Sequence, residues 1–218
     1  MTWVKICGIT NLEDALTAVE AGADAVGFVF YEKSPRVVRA EVSRAIVEQV
    51  PGHVEKVGVF VDQSVGQAEQ MAAQIGLTGI QLHYIGTERL PPLPVSRFQR
   101  YLALRASRFL KDGGVPDLNL AGESPVSAVF LDSGTPEQPG GTGNQFNWAK
   151  AAPLVQKLEQ CFKVVVAGGL RPANVGEAIR TLKPWGVDVS SGVEAHPGKK
   201  DPAKVHAFVE AVRRASGN

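Results

Sequence analysis

The sequence has few cysteines, no long apolar run and almost no net charge. Cys7 and Cys161 cannot make a disulfide framework, and their separation does not match a metal-binding motif. No apolar segment approaches the roughly 20 residues of a membrane-spanning helix, and Lys5 interrupts the first apolar stretch, unlike a secretory signal. The net charge of +1, with both signs interspersed, indicates no basic face for nucleic acid or lipid. We expect a cytoplasmic protein that binds neither nucleic acid nor membranes.

Short apolar runs alternate with helical segments along all 218 residues, of which 44% are apolar. This alternation predicts right-handed βαβ units and a parallel sheet. Eight such units favour a single (β/α)₈ barrel domain over residues 1–218. An open doubly wound sheet is the alternative, although it favours fewer strands and one dominant glycine loop. The predicted strands are 4–7, 25–30, 56–61, 79–82, 101–106, 126–131, 163–167 and 187–190.

Residues 86–122 fit the barrel pattern least well. Pro91, Pro92 and Pro94 prevent a regular helix after the fourth strand. The segment after the fifth strand is short and rich in glycine. We therefore expect an irregular crossover after strand 4 and a degenerate helix 5.

An acidic residue ends the sixth apolar strand, where α/β folds place their active sites. Asp132 follows Phe130 and Leu131, and a glycine-rich loop with Gly141, Thr142 and Gly143 comes next. A carboxyl group in a partly apolar mouth can keep its proton near neutral pH and act as a general acid. Asp132 could equally cap the following turn. Asp62 is a weaker competitor that we interpret as a helix cap.

Cys7 ends the first strand in the motif Lys5-Ile6-Cys7-Gly8. Residues two apart share a face of a strand, so Lys5 and Cys7 both face the barrel interior if Val4 and Ile6 face the helices. A thiol there becomes a base or nucleophile once a positive neighbour stabilises the thiolate. The alternative for Cys7 is a small buried apolar residue. For Cys161, at the end of a helix, we strongly favour a structural role over a chemical one.

Two glycine-containing loops follow the seventh and eighth strands. They contain Gly168 and Gly169 in one loop, and Ser190, Ser191 and Gly192 in the other. Barrel enzymes often bind phosphate between these loops, where backbone N–H groups approach the anion closely. The alternative is that these are ordinary turn residues.

Two further side chains are candidates for contact with a substrate. Arg36 lies in a long loop after the second strand, and its guanidinium could bind a carboxylate through two hydrogen bonds. His83 ends the fourth strand and could move protons, although a structural histidine is as plausible.

Taken in chain order, these motifs resemble the phosphoribosylanthranilate isomerase family of tryptophan biosynthesis. Lys5-Ile6-Cys7-Gly8, Gly140-Gly141-Thr142-Gly143 and Ser190-Ser191-Gly192-Val193-Glu194 carry most of the resemblance. It covers nearly the whole chain and is weakest from Tyr84 to Gly122. Tyr84 replaces a usual glycine, and Asn147 replaces a usual aspartate.

The resemblance implies an Amadori rearrangement of N-(5-phosphoribosyl)anthranilate that needs no metal or redox cofactor. Asp132 would be the general acid, Cys7 the base and Arg36 the ligand of the substrate carboxylate, while the last two loops would hold the phosphate. The partner is a small phosphorylated substrate, and the protein is expected to be a monomer or homodimer. The alternatives are the histidine-pathway isomerase, a dual-pathway enzyme and a non-catalytic sugar-phosphate binding protein.

Overall fold

Eight parallel strands close into a barrel in the computed structural model, which describes residues 1–83, 96–112, 126–134 and 145–217. Each strand pairs with the next in the chain, and the eighth pairs with the first. The predicted barrel is confirmed, and the predicted strands agree with the observed ones to within two residues. The strands are β1 Trp3–Cys7, β2 Ala25–Val29, β3 Glu55–Phe60, β4 Gly79–His83, β5 Gln99–Arg105, β6 Ala128–Asp132, β7 Lys163–Val166 and β8 Gly186–Val189.

Seven helices surround the barrel in the described part of the chain, and side-chain caps fix where several of them begin. Asn11 accepts a hydrogen bond from the Asp14 N–H at the start of α1, and Asn147 accepts one from Lys150 at the start of α5. None of the described helices is both long and apolar enough to cross a lipid bilayer. The helices are α1 Leu12–Glu20, α2 Ala40–Val47, α3 Val65–Ile75, α4 Ala106–Asp112, α5 Trp148–Leu158, α6 Val175–Leu182 and α7 Pro202–Ala215.

The interpretation of Asp62 as a helix cap was wrong. Ser64 caps α3, and the Gln67 side chain completes a capping box by accepting from the Ser64 N–H. Ser64 satisfies the free N–H groups of the first turn, so Asp62 is left exposed before the helix begins.

The region that fitted the barrel pattern least well is partly described. The helix after the fifth strand, α4, has only seven residues and follows β5 directly, which confirms the degenerate helix 5. The predicted irregular crossover after strand 4 falls on residues 84–95, which lie outside the described residues.

A short antiparallel hairpin after β8 was not predicted. A 3₁₀ turn over Ser191–Val193 leads into β9, Glu194–His196, which pairs with β10, Lys199–Lys200. Gly198 has a φ of 83° in the connecting turn, a conformation that favours glycine. The hairpin brings Glu194 and Lys200 to the edge of the barrel mouth.

Aromatic side chains fill the amino-terminal end of the barrel. The Trp3 ring lies 6.1 Å from the Tyr101 ring and 6.2 Å from the Phe130 ring, and Trp185 stacks on it at 5.2 Å. The barrel is therefore a packed core at this end, and open space for a ligand lies at the carboxyl ends of the strands.

Candidate active site

A cavity of about 410 Å³ opens at the carboxyl ends of the strands, and it brings most of the predicted site residues together. Cys7 and Gly192 are not among the lining residues, although they are close to the site, as described below. The predicted ligand loop with Gly141, Thr142 and Gly143 lies outside the described residues. The predicted residues that line the cavity are Arg36, His83, Asp132, Gly168, Gly169, Ser190 and Ser191.

A buried ion pair lies beneath the cavity. Lys5 on β1 and Asp188 on β8 are direct register partners, and the Lys5 Nζ donates to the Asp188 Oδ1 over 2.9 Å. The Lys5 Nζ also lies 5.1 Å from the centre of the Phe130 ring. The Lys5 side chain is fully buried, so this pairing satisfies a charge that water cannot reach.

Cys7 shares the inward face of β1 with Lys5, as predicted. A Cβ atom on Gly27 would lie 2.9 Å from both the Cys7 Sγ and the Lys5 Cε. The absence of a side chain at Gly27 therefore leaves the space that these two groups occupy. Cys7 is only 7% exposed, so its thiol is largely shielded from bulk solvent.

The charges around Cys7 act in opposite directions. Burial raises the pKa of the Cys7 thiol, and the nearby Asp188 carboxylate raises it further, whereas Lys5 and Lys200 lower it. The net effect is a rise in the pKa, so the site favours the thiol over the thiolate. Removing the Lys5 charge would make the thiolate still less accessible.

Asp132 ends β6 in a position suited to holding a proton. Burial raises the pKa of its carboxyl to about 7, and Asp188 adds to that rise, while the Gly134 N–H and Lys5 oppose it. Its Oδ1 accepts a hydrogen bond from the Gly134 N–H over 2.6 Å. Asp132 thus caps the following turn and also lines the cavity, so the two interpretations of this residue are compatible.

The loop after β8 approaches the loop after β7 at Gly192. Gly168 has a φ of 81°, and a Cβ atom on Gly192 would lie 1.8 Å from the Leu170 carbonyl oxygen. Asn174 holds the first loop by donating to the Gly169 carbonyl and accepting from the Arg171 N–H. This arrangement leaves backbone close to the cavity, as an oxyanion site requires.

Arg36 lines the cavity but is already paired with a carboxylate of the protein. Its Nε and Nη2 donate to the two oxygens of Glu194, each over 2.8 Å. The third nitrogen, Nη1, has no hydrogen-bond partner in the described part of the chain. Arg36 can therefore offer Nη1, rather than the whole guanidinium fork, to a ligand.

His83 lies beside Gln81 on the cavity wall. The Gln81 Nε2 is 3.3 Å from the His83 Nε2. Burial lowers the pKa of the His83 imidazole to about 4, and the positive charges of Lys5 and Arg105 lower it as well. A neutral His83 can exchange hydrogen bonds with a ligand at pH 7 but carries no proton to donate as an imidazolium.

The chain matches one known protein family over nearly its whole length. The family described as "PRAI: N-(5'phosphoribosyl)anthranilate (PRA) isomerase" matches residues 4–211. The chain belongs to this family. N-(5'-phosphoribosyl)anthranilate isomerase of Geobacter sp. (strain M21) is 44% identical over 99% of this chain and all of its own length. The resemblance inferred from the motifs is thereby confirmed, as is the predicted class of enzyme.

Solved structures of phosphoribosylanthranilate isomerases share the fold. The enzyme of Thermotoga maritima has a TM-score of 0.79 and 38% sequence identity, covering 98% of this chain and all of its own. Another phosphoribosylanthranilate isomerase structure, 37% identical with a TM-score of 0.77 and the same coverage, is a complex with reduced 1-(o-carboxyphenylamino)-1-deoxyribulose 5-phosphate. The Thermus thermophilus enzyme is 34% identical, with a TM-score of 0.80 over 98% of this chain and 99% of its own.

Several residues of the site were not predicted from the sequence. Asp188 gave a usable signal, because a charged residue within a buried apolar strand requires a partner. Lys5 was recognised as facing inward, but its pairing with Asp188 was not predicted. Glu194 and Lys200 gave no such signal, since only the unpredicted hairpin brings them to Arg36.

Proposed function

We propose that this chain isomerises N-(5'-phosphoribosyl)anthranilate, with Asp132 as general acid and Cys7 as base. The observation that carries the assignment is that Cys7 and Asp132 end two strands of the same barrel mouth, and that the ion pair of Lys5 and Asp188 shifts the pKa values of both groups. The family of the chain supports the reaction. The residue roles rest on the physical chemistry of the site.

The first step is opening of the ribose ring. Asp132 gives its proton to the furanose oxygen as the C1′–O bond breaks, and the anthranilate nitrogen forms a protonated Schiff base with C1′. A carboxyl whose pKa is about 7 keeps a useful fraction of its protons at neutral pH. Burial at the end of β6 is therefore what makes an aspartate fit for this role.

The second step is removal of the C2′ proton. The Schiff base acidifies that carbon, so a thiolate is a sufficient base, and loss of the proton gives an enolamine. Tautomerisation of the enolamine then yields 1-(2-carboxyphenylamino)-1-deoxyribulose 5-phosphate. Lys5 and Lys200 favour the Cys7 thiolate, while burial raises the pKa of the thiol and keeps the thiolate a minor form.

Binding uses groups that take no part in proton transfer. The loops with Gly168, Gly169, Ser190, Ser191 and Gly192 hold the phosphate, and Arg36 holds the anthranilate carboxylate through the side of its guanidinium that Glu194 leaves open. The cavity volume of about 410 Å³ suits a ligand of this size. His83 and Gln81 are placed to contact the sugar.

The histidine-pathway isomerase reaction is the second candidate, and Cys7 argues against it. The resemblance drawn from the sequence implies that histidine-pathway isomerases usually pair two aspartates, one of which ends the first strand, where this chain has Cys7.

A cytoplasmic location, and a monomeric or homodimeric state, stay predictions. One related structure contains monomers of the dimeric T. maritima enzyme.

Turnover of synthesised N-(5'-phosphoribosyl)anthranilate tests the proposal directly. We expect the purified chain to abolish the fluorescence of this substrate without added metal, and an Asp132→Asn variant to be far slower. A chain that binds the reduced product but never turns over the substrate would instead be a sugar-phosphate binding protein. Turnover of the histidine-pathway substrate alone would favour the second candidate.

A further inference from the structure

Arg36 belongs to a buried cluster of three charged side chains. The Glu194 carboxylate accepts two hydrogen bonds from Arg36, each over 2.8 Å, and one from the Lys200 Nζ over 3.0 Å. The side chains of Arg36, Glu194 and Lys200 are 8%, 5% and 0% exposed. These contacts are therefore shielded from solvent, where charge interactions are stronger than at the surface.

The charges of the cluster sum to one positive charge. Arg36 and Glu194 alone form a neutral pair, which attracts an anion only weakly at a distance. Glu194 cancels one of the two positive charges of Arg36 and Lys200, so the cluster keeps one net positive charge beside the cavity. Burial lowers the pKa of Lys200 overall, and the positive charge of Arg36 adds to this, while the adjacent Glu194 carboxylate partly offsets the effect.

Lys200 also connects the cluster to the eighth loop. Its Nζ donates to the Ser190 carbonyl over 3.2 Å. Lys200 therefore has two acceptors, Glu194 and the Ser190 carbonyl, and neither is a group of the substrate. The residue itself is not among those that line the cavity.

We infer that Lys200 is a positioning residue for the site that binds the substrate carboxylate. Its positive charge offsets the negative charge of Glu194. The Glu194 carboxylate can therefore hold Arg36 rigidly while the site keeps a net positive charge. This inference rests on the proposed function and names a residue on which its carboxylate selectivity depends. Glu194 supplies the geometry, because a guanidinium held by two hydrogen bonds presents its remaining nitrogen in a fixed direction. Lys200 supplies the charge.

The test compares two ligands that differ in one carboxylate. The first is reduced 1-(o-carboxyphenylamino)-1-deoxyribulose 5-phosphate, and the second is the same molecule with an unsubstituted phenyl ring. Calorimetry gives the ratio of the two dissociation constants for each protein. We expect Lys200→Met to reduce the preference for the carboxylated ligand about ten-fold, the effect of one unit charge near a shielded site. Both ligands carry the same phosphate, so any change in phosphate binding cancels in the ratio of the two dissociation constants.

A double variant separates charge balance from a structural effect. Lys200→Met combined with Glu194→Gln again leaves one positive charge, so it should recover at least about three-fold of the lost preference. A purely structural role for Lys200 predicts that the second substitution adds damage instead. If Lys200→Met folds poorly, Lys200→Gln takes its place in the test. Lys200→Gln keeps a donor for the Ser190 carbonyl, and it should lose the preference for the carboxylated ligand to the same extent.

Lys199→Met is the matched control, because Lys199 precedes Lys200 and its Nζ faces Glu13 and Asp14 on α1. It should keep the wild-type preference. An unchanged preference in both Lys200 variants, or a double variant no better than Lys200→Met, would overturn the inference. If the wild-type protein binds both ligands equally, the proposed carboxylate site does not exist. If it binds neither ligand, the proposed function is contradicted.

Discussion

Lys5 and Asp188 form one ion pair, and its two members shift the pKa of each proposed catalytic group in opposite directions. Lys5 lowers the pKa of Cys7 and of Asp132, whereas Asp188 raises both. The reaction needs Cys7 without its proton and Asp132 with it. Because the ion pair is neutral overall, it has little net effect on the pKa of either group. Burial therefore largely decides the protonation of Asp132.

Breaking this pair from one side should be costly. Lys5→Met leaves Asp188 buried without its partner, and we expect a loss of about 3–5 kcal/mol in the free energy of unfolding, measured with urea. Adding Asp188→Asn should recover much of that loss without restoring turnover. Lys163→Met, at the exposed start of β7, is the control. Additive losses in the double variant would show that the two charges do not depend on each other.

Replacing Cys7 should remove the base without disturbing substrate binding. Cys7→Ser should lower turnover by about 10²–10⁴, because a hydroxyl is a far weaker base than a thiolate at neutral pH. The affinity for the reduced product should change little. Cys161→Ser, at an exposed cysteine outside the barrel, should behave as wild type in the same assays. Near-normal turnover of Cys7→Ser would assign proton removal to another group.

Asp132 and Cys7 together should give a broad pH optimum. Asp132 is active with its proton and has a pKa of about 7, whereas Cys7 is active without its proton and has a pKa raised above its ordinary value. We expect kcat/KM to rise with pH up to about 7, to stay level while the loss of protonated Asp132 offsets the gain of Cys7 thiolate, and to fall above the pKa of Cys7. Asp132→Asn should lose at least about 10² in turnover and still bind the reduced product. The exposed Asp62→Asn is the control. An active Asp132→Asn enzyme would mean that a different acid opens the ring.

The same carboxyl should lower stability at alkaline pH. Its folded-state pKa of about 7 lies above the ordinary value of 3.8, so the folded protein binds the proton more tightly than the unfolded chain does. Stability is then full below about pH 4 and lost as the pH rises towards 7, by at most about 4 kcal/mol. We expect Asp132→Asn to stabilise the protein at pH 8 and to have little such effect at pH 4, as measured by urea unfolding. Equal effects at both pH values would contradict this assignment.

The eighth loop should not tolerate a side chain at Gly192. A Cβ atom there would lie 1.8 Å from the Leu170 carbonyl oxygen, so Gly192→Ala forces the seventh and eighth loops apart. We expect inorganic phosphate to bind at least about ten-fold more weakly, since backbone N–H groups must converge on the anion. Gly66→Ala has open space around its Cβ and is the control. Unchanged phosphate affinity would place the anion elsewhere.

Local patterns were sufficient to predict the barrel and the polar ends of its strands. Apolar runs of the right length can be recognised from sequence because buried parallel strands have no polar face. The residue that ends each strand, such as Cys7 or Asp132, then lies at the barrel mouth for any closed parallel sheet. The prediction of Asp62 as a cap was wrong because Ser64 and Gln67 provide a better capping pair two residues later.

The amino-acid sequence by itself determined the fold, the family and the residue types available at the barrel mouth, since these follow from strand periodicity and short motifs. Only the tertiary structure decided which charges meet. Lys5 and Asp188 are 183 residues apart, and Arg36 and Glu194 are 158 residues apart. Ion pairing depends on distances of a few ångströms, which the closure of β8 onto β1 and the fold of the β9–β10 hairpin establish.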